Sequence, residues 1–241
     1  MKKHIPNIIT LLNLLSGCMA IVAVSQGELV HASWWILLAA VFDLLDGLSA
    51  RLLGAGSEIG KQLDSLADVV SFGVAPGFIL FALLNNAVEH EHAMGLNLSG
   101  LPYVAFLIPM FSALRLARFN IDPDQRFDFI GLPTPAAALF ILSIPIALAC
   151  PDVVIPWLND LFRDPYVLSG IAVFLSFLMV SPLKLFSLKF KNLNFRSNLG
   201  RLVIIVVGLV LFFTFRFASV PFIVLLYIVV SQLNLNKANP G

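Results

Sequence analysis

Charge is scarce in this chain. Only 12% of its 241 residues are Asp, Glu, Lys or Arg, while 59% are hydrophobic. A water-soluble domain carries about 25% charged residues, so a water-facing surface cannot be built from this composition. The mean hydropathy of +0.93 agrees, and lipid must solvate most of the surface. Fifteen basic residues nearly balance fourteen acidic ones, a net charge of +1. That excludes the strong positive field that recruits nucleic acid. Cysteine is almost absent. Cys18 and Cys150 both sit in apolar runs; they form neither a disulfide framework nor a zinc site and read as buried structural thiols. There is no soluble domain, low-complexity tract or internal repeat.

What the chain has in quantity is apolar runs of about 20 residues, the length needed to cross a bilayer as helix. Eight are expected, over 6–25, 33–54, 63–86, 101–118, 133–150, 166–183, 200–216 and 218–235. The seventh and eighth, joined near Ser219 and Pro221, could be a hairpin or one long kinked segment. The fold expected is all-α, a polytopic membrane bundle forming one domain over 1–241. The helices of about 166–235 are accessory to its core.

Loop charge orients the bundle. With the N-terminus in the cytoplasm, that side holds Lys2, Lys3, Arg51, Lys61, Arg115, Arg118, Arg126, Lys184, Lys189, Lys191, Arg196, Arg201 and Lys237, and the far side only Arg163 and Arg216. Thirteen against two is the asymmetry of a positive-inside topology with both termini in the cytoplasm. Leu15-Ser16-Gly17-Cys18 has the form of a lipoprotein cleavage box, but removing the first helix would spoil this agreement, so retention is expected. Glu89, His90, Glu91 and His92 fall in a far-side loop, 87–100, read as solvated rather than metal-binding. The basic stretch 184–201 suits anionic lipid at the cytoplasmic surface, or simple orientation.

Against this background, four aspartates inside apolar segments stand out. Ionisable residues in membrane helices are expensive and mark function. Asp43, Asp46, Gly47, Ala50 and Arg51 lie at offsets that share one helical face. Gly47 and Ala50 leave a notch beside the carboxylates, and Arg51 sits a turn beyond Gly47, where a cation can meet phosphate. On the next helix Gly60, Asp64 and Asp68 again share a face. A short link bearing Gly54 and Gly56 should set the two helices antiparallel with their acidic faces opposed. Four carboxylates so close repel one another and call for hard cations with oxygen ligands, Mg²⁺ or Mn²⁺ with Ca²⁺ as competitor. Two such ions would clamp a phosphoryl group. Buried aspartates also serve proton or ion transport, and charge placement alone leaves that open.

The full string, Asp43-x2-Asp46-Gly47-x2-Ala50-Arg51-x8-Gly60-x3-Asp64-x3-Asp68, resembles the signature of the CDP-alcohol phosphotransferases at all eight positions. The resemblance implies a helical membrane bundle, usually a homodimer, with its site open to the cytoplasm. It implies that the four aspartates hold two divalent metals and that Asp68 is also the general base. Gly47, Ala50, Arg51 and Gly60 would shape the site for the CDP moiety.

The signature leaves the acceptor alcohol open. Pro6-Asn7-x2-Thr10-x2-Asn13-x3-Gly17, Ser71-Phe72-Gly73-Val74-Ala75-Pro76, Arg115-x2-Arg118-Phe119-Asn120 and Gly131-Leu132-Pro133-x-Pro135 together look like the membrane-integral phosphatidylserine synthases of bacteria and archaea, over residues 5–138. That implies transfer of a phosphatidyl group from CDP-diacylglycerol to L-serine, with CMP released and the product left in the bilayer. Asn7 and Thr10 are candidates for the nucleotide, in competition with capping and interhelical bonds, as is Asn13. Arg115, Arg118, Asn120 and Ser71 are candidates for serine. Another acceptor, glycerol 3-phosphate or an inositol compound, is the alternative within the family, and an ion-coupled transporter the alternative outside it.

Overall fold

The computed structural model describes residues 4–55, 57–92, 98–121, 129–150, 156–185 and 195–238. Gly56, Lys2, Lys3, Arg126, Lys189 and Lys191 fall outside them. So do the side chains of His92, Lys184, Arg196, Arg201 and Lys237.

Helix α1 (Ile5–Ser25) opens with Pro6 in its first turn, where a missing N–H breaks no helical bond. Gly27, at φ 80, reverses the chain into α2 (Leu29–Leu53). The two form the most extensive helix pair among the described residues. Helix α2 stops at Gly54, whose φ of 57 only glycine adopts easily and whose N–H reaches the carbonyls of Ala50 and Arg51. Ser57 then caps α3 (Glu58–Asp68), its hydroxyl accepting the Gly60 N–H at 3.0 Å.

Helix α3 docks on α1 rather than along α2. The close antiparallel packing expected of α2 and α3 is therefore only partly realised. Their carboxylates converge, but a cavity between them and the inner face of α1 keep the backbones apart. Directly after Asp68 the helix widens into a π-helical turn (Val69–Val74) before continuing as α4 (Ala75–His92). Pro76 explains the site of the widening. It offers no N–H to the carbonyl of Phe72, and its ring crowds that carbonyl in a regular helix. Glu89, His90, Glu91 and His92 lie within or at the end of α4 rather than in a loop.

A 3₁₀ turn (Leu101–Phe106) leads into α5 (Leu107–Ile121). Gly73 and Gly77 let α5 approach the widened turn. A Cβ on Gly73 would stand 2.9 Å from Ser112 Oγ, and one on Gly77 2.9 Å from Pro109 Cδ. Strand β1 (Phe129–Ile130) pairs antiparallel with β2 (Lys184–Leu185), Phe129 opposite Leu185. Gly131, at φ 75, donates its N–H to Leu183 O at 2.9 Å. Helix α6 (Thr134–Leu148) is buried on nearly every side, as its unbroken apolar sequence requires. The short α7 (Pro156–Leu161) was not expected. Helix α8 (Pro165–Val180) is capped by Asp164, which accepts the N–H groups of Tyr166 and Val167.

The C-terminal apolar run is a hairpin. Helix α9 (Phe195–Phe215) folds back through a 3₁₀ turn (Arg216–Ser219) onto α10 (Val220–Ala238). A Cβ on Gly208 would lie 3.6 Å from Ile223 Cγ2; in one continuous helix these positions would be about 22 Å apart. Trp34 of α2 meets Phe217 of the turn edge-on at 5.6 Å and anchors the hairpin.

Each of the eight expected helices has its counterpart. Among the described residues four stretches, Ile5–Ser25, Glu58–Glu91, Leu101–Ile121 and Leu202–Leu233, are long and apolar enough to cross a membrane. The outer surface is apolar. Leu52, Ile121 and Phe213 are each more than four-fifths exposed, while Thr10, Asn13, Ser71, Ser112 and Arg115 are buried. This is a helical membrane protein. Cys18 is a correction, because it points outward. The inner face of α1 is occupied by Ser16, Gly17 and Ala20, whose small side chains admit its neighbours.

Candidate functional site

The site is built on the inner face of α1. Thr10, Asn13 and Gly17 follow one another at helical spacing and are all buried. Thr10 Oγ1 donates to Asp46 Oδ2 at 2.7 Å and also lies 3.1 Å from its own helix at Pro6 O. One turn on, Asn13 Nδ2 donates to Asp68 Oδ1 at 3.2 Å. The same helix thus grips a carboxylate from α2 and another from α3. Below them Ser71 Oγ donates to Asn13 O at 3.0 Å. A Cβ on Gly17 would stand 2.9 Å from Ser71 Cα, so the widened turn rests directly on α1.

Asp43, Asp64 and Asp68 each bring one carboxylate oxygen into a group spanning no more than 4.8 Å. Asp68 is buried and the other two are half-buried. Among the described residues no lysine or arginine closes an ion pair with them. Like charges at that separation repel by roughly 3 kcal/mol per pair even at an effective dielectric of about 20. Such a group persists when a cation sits among the oxygens. Asp64 Oδ1 is buried with no protein donor, as a ligand atom awaiting an ion would be. All-oxygen donors in this number suit a hard divalent cation. Asp46 stands outside this trio, turned to Thr10, and lines an adjoining cavity with Asp64.

That cavity encloses about 240 Å³ between α1, α2 and α3. Asn7, Thr10, Gly47, Ala50 and Gly60 line it, five of the six residues expected to shape a nucleotide site. The two glycines differ in kind. A Cβ on Gly60 would come within 3.1 Å of Asn7 Oδ1, so Gly60 lets α3 approach α1. A Cβ on Gly47 meets nothing within 4 Å, so Gly47 keeps cavity space open. Arg51, the sixth, is exposed in the last turn of α2 and is not among the lining residues.

The residues expected at an acceptor separate. Arg115 is buried on α5, within electrostatic reach of Asp68, and its Nε has no protein partner. Ser112, one turn earlier, is buried with an equally unpartnered hydroxyl. Arg118 is exposed. Asn120 ties α5 to α3, donating to Ser65 Oγ at 2.8 Å while its carbonyl accepts Lys61 Nζ at 3.0 Å. Ser71 is engaged with the Asn13 carbonyl, as described.

Two residues carry more than the sequence suggested. Asn13, expected either at the nucleotide or in an interhelical bond, makes the bond, and its partner is Asp68. Lys61 lines the cavity beside Gly60 and is the only cationic residue among those lining it. The Glu89–His92 group forms no metal-competent cluster among the described residues.

Comparison with known proteins locates the site within a matched region. The sequence profile of the family described as CDP-alcohol phosphatidyltransferase matches residues 3–183. A Helicobacter pylori protein named CDP-diacylglycerol–serine O-phosphatidyltransferase is 38% identical over 140 residues, covering 57% of this chain and 55% of its own. Proteins of the same name from Methanocaldococcus jannaschii and Bacillus subtilis are each 35% identical. The former match runs over 180 residues, 75% of this chain and 72% of the relative. The latter runs over 156 residues, 61% and 81%. The chain thus spans about half the length of the Helicobacter relative and more of the other two.

Proposed function

Since this chain belongs to the CDP-alcohol phosphatidyltransferase family, we propose that it transfers the phosphatidyl group of CDP-diacylglycerol to the hydroxyl of L-serine, giving phosphatidylserine and CMP. The observation that carries the reading is the junction of two features: an aspartate trio fit for divalent cations, opening onto a cavity lined by Thr10, Gly47, Ala50 and Gly60. Names of relatives that match over more than half of this chain support serine as the acceptor.

The residues divide the work as follows. Asn7, Thr10, Gly47, Ala50 and Gly60 enclose the cytidine and its first phosphate, and Arg51, exposed in the last turn of α2, meets phosphate. Asp43, Asp64 and Asp68, with Asp46 beside them, would hold two divalent cations of the Mg²⁺ or Mn²⁺ type, which would supply charge neutralisation for the diphosphate and the departing CMP. The serine hydroxyl attacks the phosphorus that bears diacylglycerol. Its proton passes to Asp68, the bond from that phosphorus to the CMP oxygen breaks, and CMP leaves with the electron pair. Arg115, the buried one of the acceptor candidates and the one within electrostatic reach of Asp68, offers its guanidinium to the serine carboxylate. Most of the acceleration comes from positioning and charge stabilisation, as in phosphoryl transfer generally.

The same reading sets the protein in the cytoplasmic membrane as one domain with eight spans. Both termini and the site face the cytoplasm, and α8 to α10 are accessory to the bundle. The loop charges support that orientation. A homodimer is the expected assembly. The test is release of CMP from CDP-diacylglycerol by purified protein with Mn²⁺. Release that rises with added L-serine supports the proposal. Active protein whose release is indifferent to serine removes it.

A further inference from the structure

We propose that Asn13 is a positioning residue that sets the orientation of Asp68 through a neutral amide. The inference rests on the reading of Asp68 as the proton acceptor. Asn13 is fully buried in the middle of α1, and its Nδ2 reaches Asp68 Oδ1 at 3.2 Å. With Asp68 ionised, as its proposed role requires, the carboxylate accepts only, so the NH₂ end of Asn13 faces it, and turning the amide over would set two acceptors against each other. Asn13 Oδ1 has no protein donor, so no competing bond pulls the amide away. The backbone beneath it is pinned, because its carbonyl accepts the Ser71 hydroxyl at 3.0 Å and Gly17 lets α1 rest on that residue.

The choice of a neutral group has a physical reason. A lysine or arginine here would neutralise Asp68 and compete with a divalent cation for the trio. An amide takes one lone pair of Oδ1 and adds no charge. Asp68 is then held in a set orientation with its other lone pairs open. Asp43 and Asp64 have no such side-chain donor among the described hydrogen bonds, so Asp68 is singled out within the trio, as Asp46 beside it is held by Thr10. The contact belongs to α1, outside the string of 43–68.

Asn13→Leu tests this. Leucine keeps the branched shape at a larger volume and removes the donor, and the bond from Ser71 ends on the backbone, not on the replaced side chain. In nanodiscs, kcat for serine-dependent CMP release should fall about 10–100-fold, the usual effect of losing an outer-shell partner. The Mn²⁺ concentration giving half the Mn²⁺-induced thermal shift should rise as kcat falls, because Asp68 is also a proposed metal ligand, while the KM for CDP-diacylglycerol should scarcely change. A residue serving only to hold α1 in place would move all three together, and that result overturns the proposal. So does an Asn13→Leu protein with wild-type kcat. Asn13→Asp, of the same shape but without a donor when ionised, should lose kcat likewise while binding Mn²⁺ at least as tightly, and it carries the test alone if the leucine variant does not fold. Wild-type protein inactive with serine would instead remove the functional reading, an outcome separate from either.

Discussion

Thr10 Oγ1 and Asp46 Oδ2 lie 2.7 Å apart across two helices, joining the first membrane helix to the acidic face of the second. This bond keeps Asp46 at the cavity wall, apart from the trio of Asp43, Asp64 and Asp68. Thr10→Val removes it without changing shape. Hydrogen bonds between membrane helices contribute only about 0.6 kcal/mol on average, so thermal stability should scarcely move. Turnover should fall about tenfold or more, because a partner of a proposed metal-binding carboxylate is lost. Thermal unfolding and CMP release on the same preparation check both parts.

Gly47 and Gly60 should fail in different ways. No protein atom stands within 4 Å of a Cβ on Gly47, so Gly47→Ala should fold like the parent. Its methyl group enters the cavity, and KM for CDP-diacylglycerol should rise. Gly60→Ala meets Asn7 and Ser57 at 3.1 Å and should lose stability as well, by about 1 kcal/mol or more.

Gly17→Ala is the packing test. Its Cβ would press on the Ser71 backbone, which cannot swing aside as a side chain could. Overpacking of this kind costs about 1–3 kcal/mol, read as a lower unfolding temperature in detergent. Activity should fall with it, since the same helix carries Thr10 and Asn13.

Asp64→Asn should uncouple stability from activity. In metal-free protein it removes one of three converging charges and so relieves repulsion. The unfolding temperature without metal should rise, by about 2–4 °C for each kcal/mol relieved. The gain in that temperature on adding Mn²⁺ should shrink, and CMP release should disappear. For the parent, chelation should abolish activity and Mn²⁺ or Mg²⁺ should restore it.

Arg115→Lys keeps the charge and loses the fork. If the guanidinium receives the acceptor's carboxylate, KM for serine should rise about tenfold or more while KM for CDP-diacylglycerol stays level. Steady-state kinetics with each substrate varied in turn separates the two.

The helices were legible in the sequence because each is a long apolar run, and the carboxylates because charge is conspicuous in such runs. The hairpin at Arg216–Ser219 was ambiguous for the same reason, since hydropathy stays high through the turn. Strands of two residues, Phe129–Ile130 and Lys184–Leu185, leave no periodicity to read. A proline such as Pro76 inside an apolar run marks a break in regular helical bonding but not its form, a widened turn one residue after Asp68. The convergence of Asp43 with Asp64 and Asp68 followed from helical spacing. The docking of α3 on α1 did not, because it depends on how Gly17 and Gly60 let three helices meet. Asn13 and Lys61 illustrate the remaining gap. An asparagine or lysine gains meaning only from its partner, and Asp68 and Asn120 lie 55 and 59 residues away.

The most direct test is an acceptor panel. Purified protein in nanodiscs, supplied with CDP-diacylglycerol and Mn²⁺, would be offered L-serine, glycerol 3-phosphate or inositol compounds in turn, with the lipid product identified by mass. The account predicts phosphatidylserine formed with one CMP per lipid, and little or no product from the others. A product carrying glycerol phosphate or inositol, with none carrying serine, would contradict it.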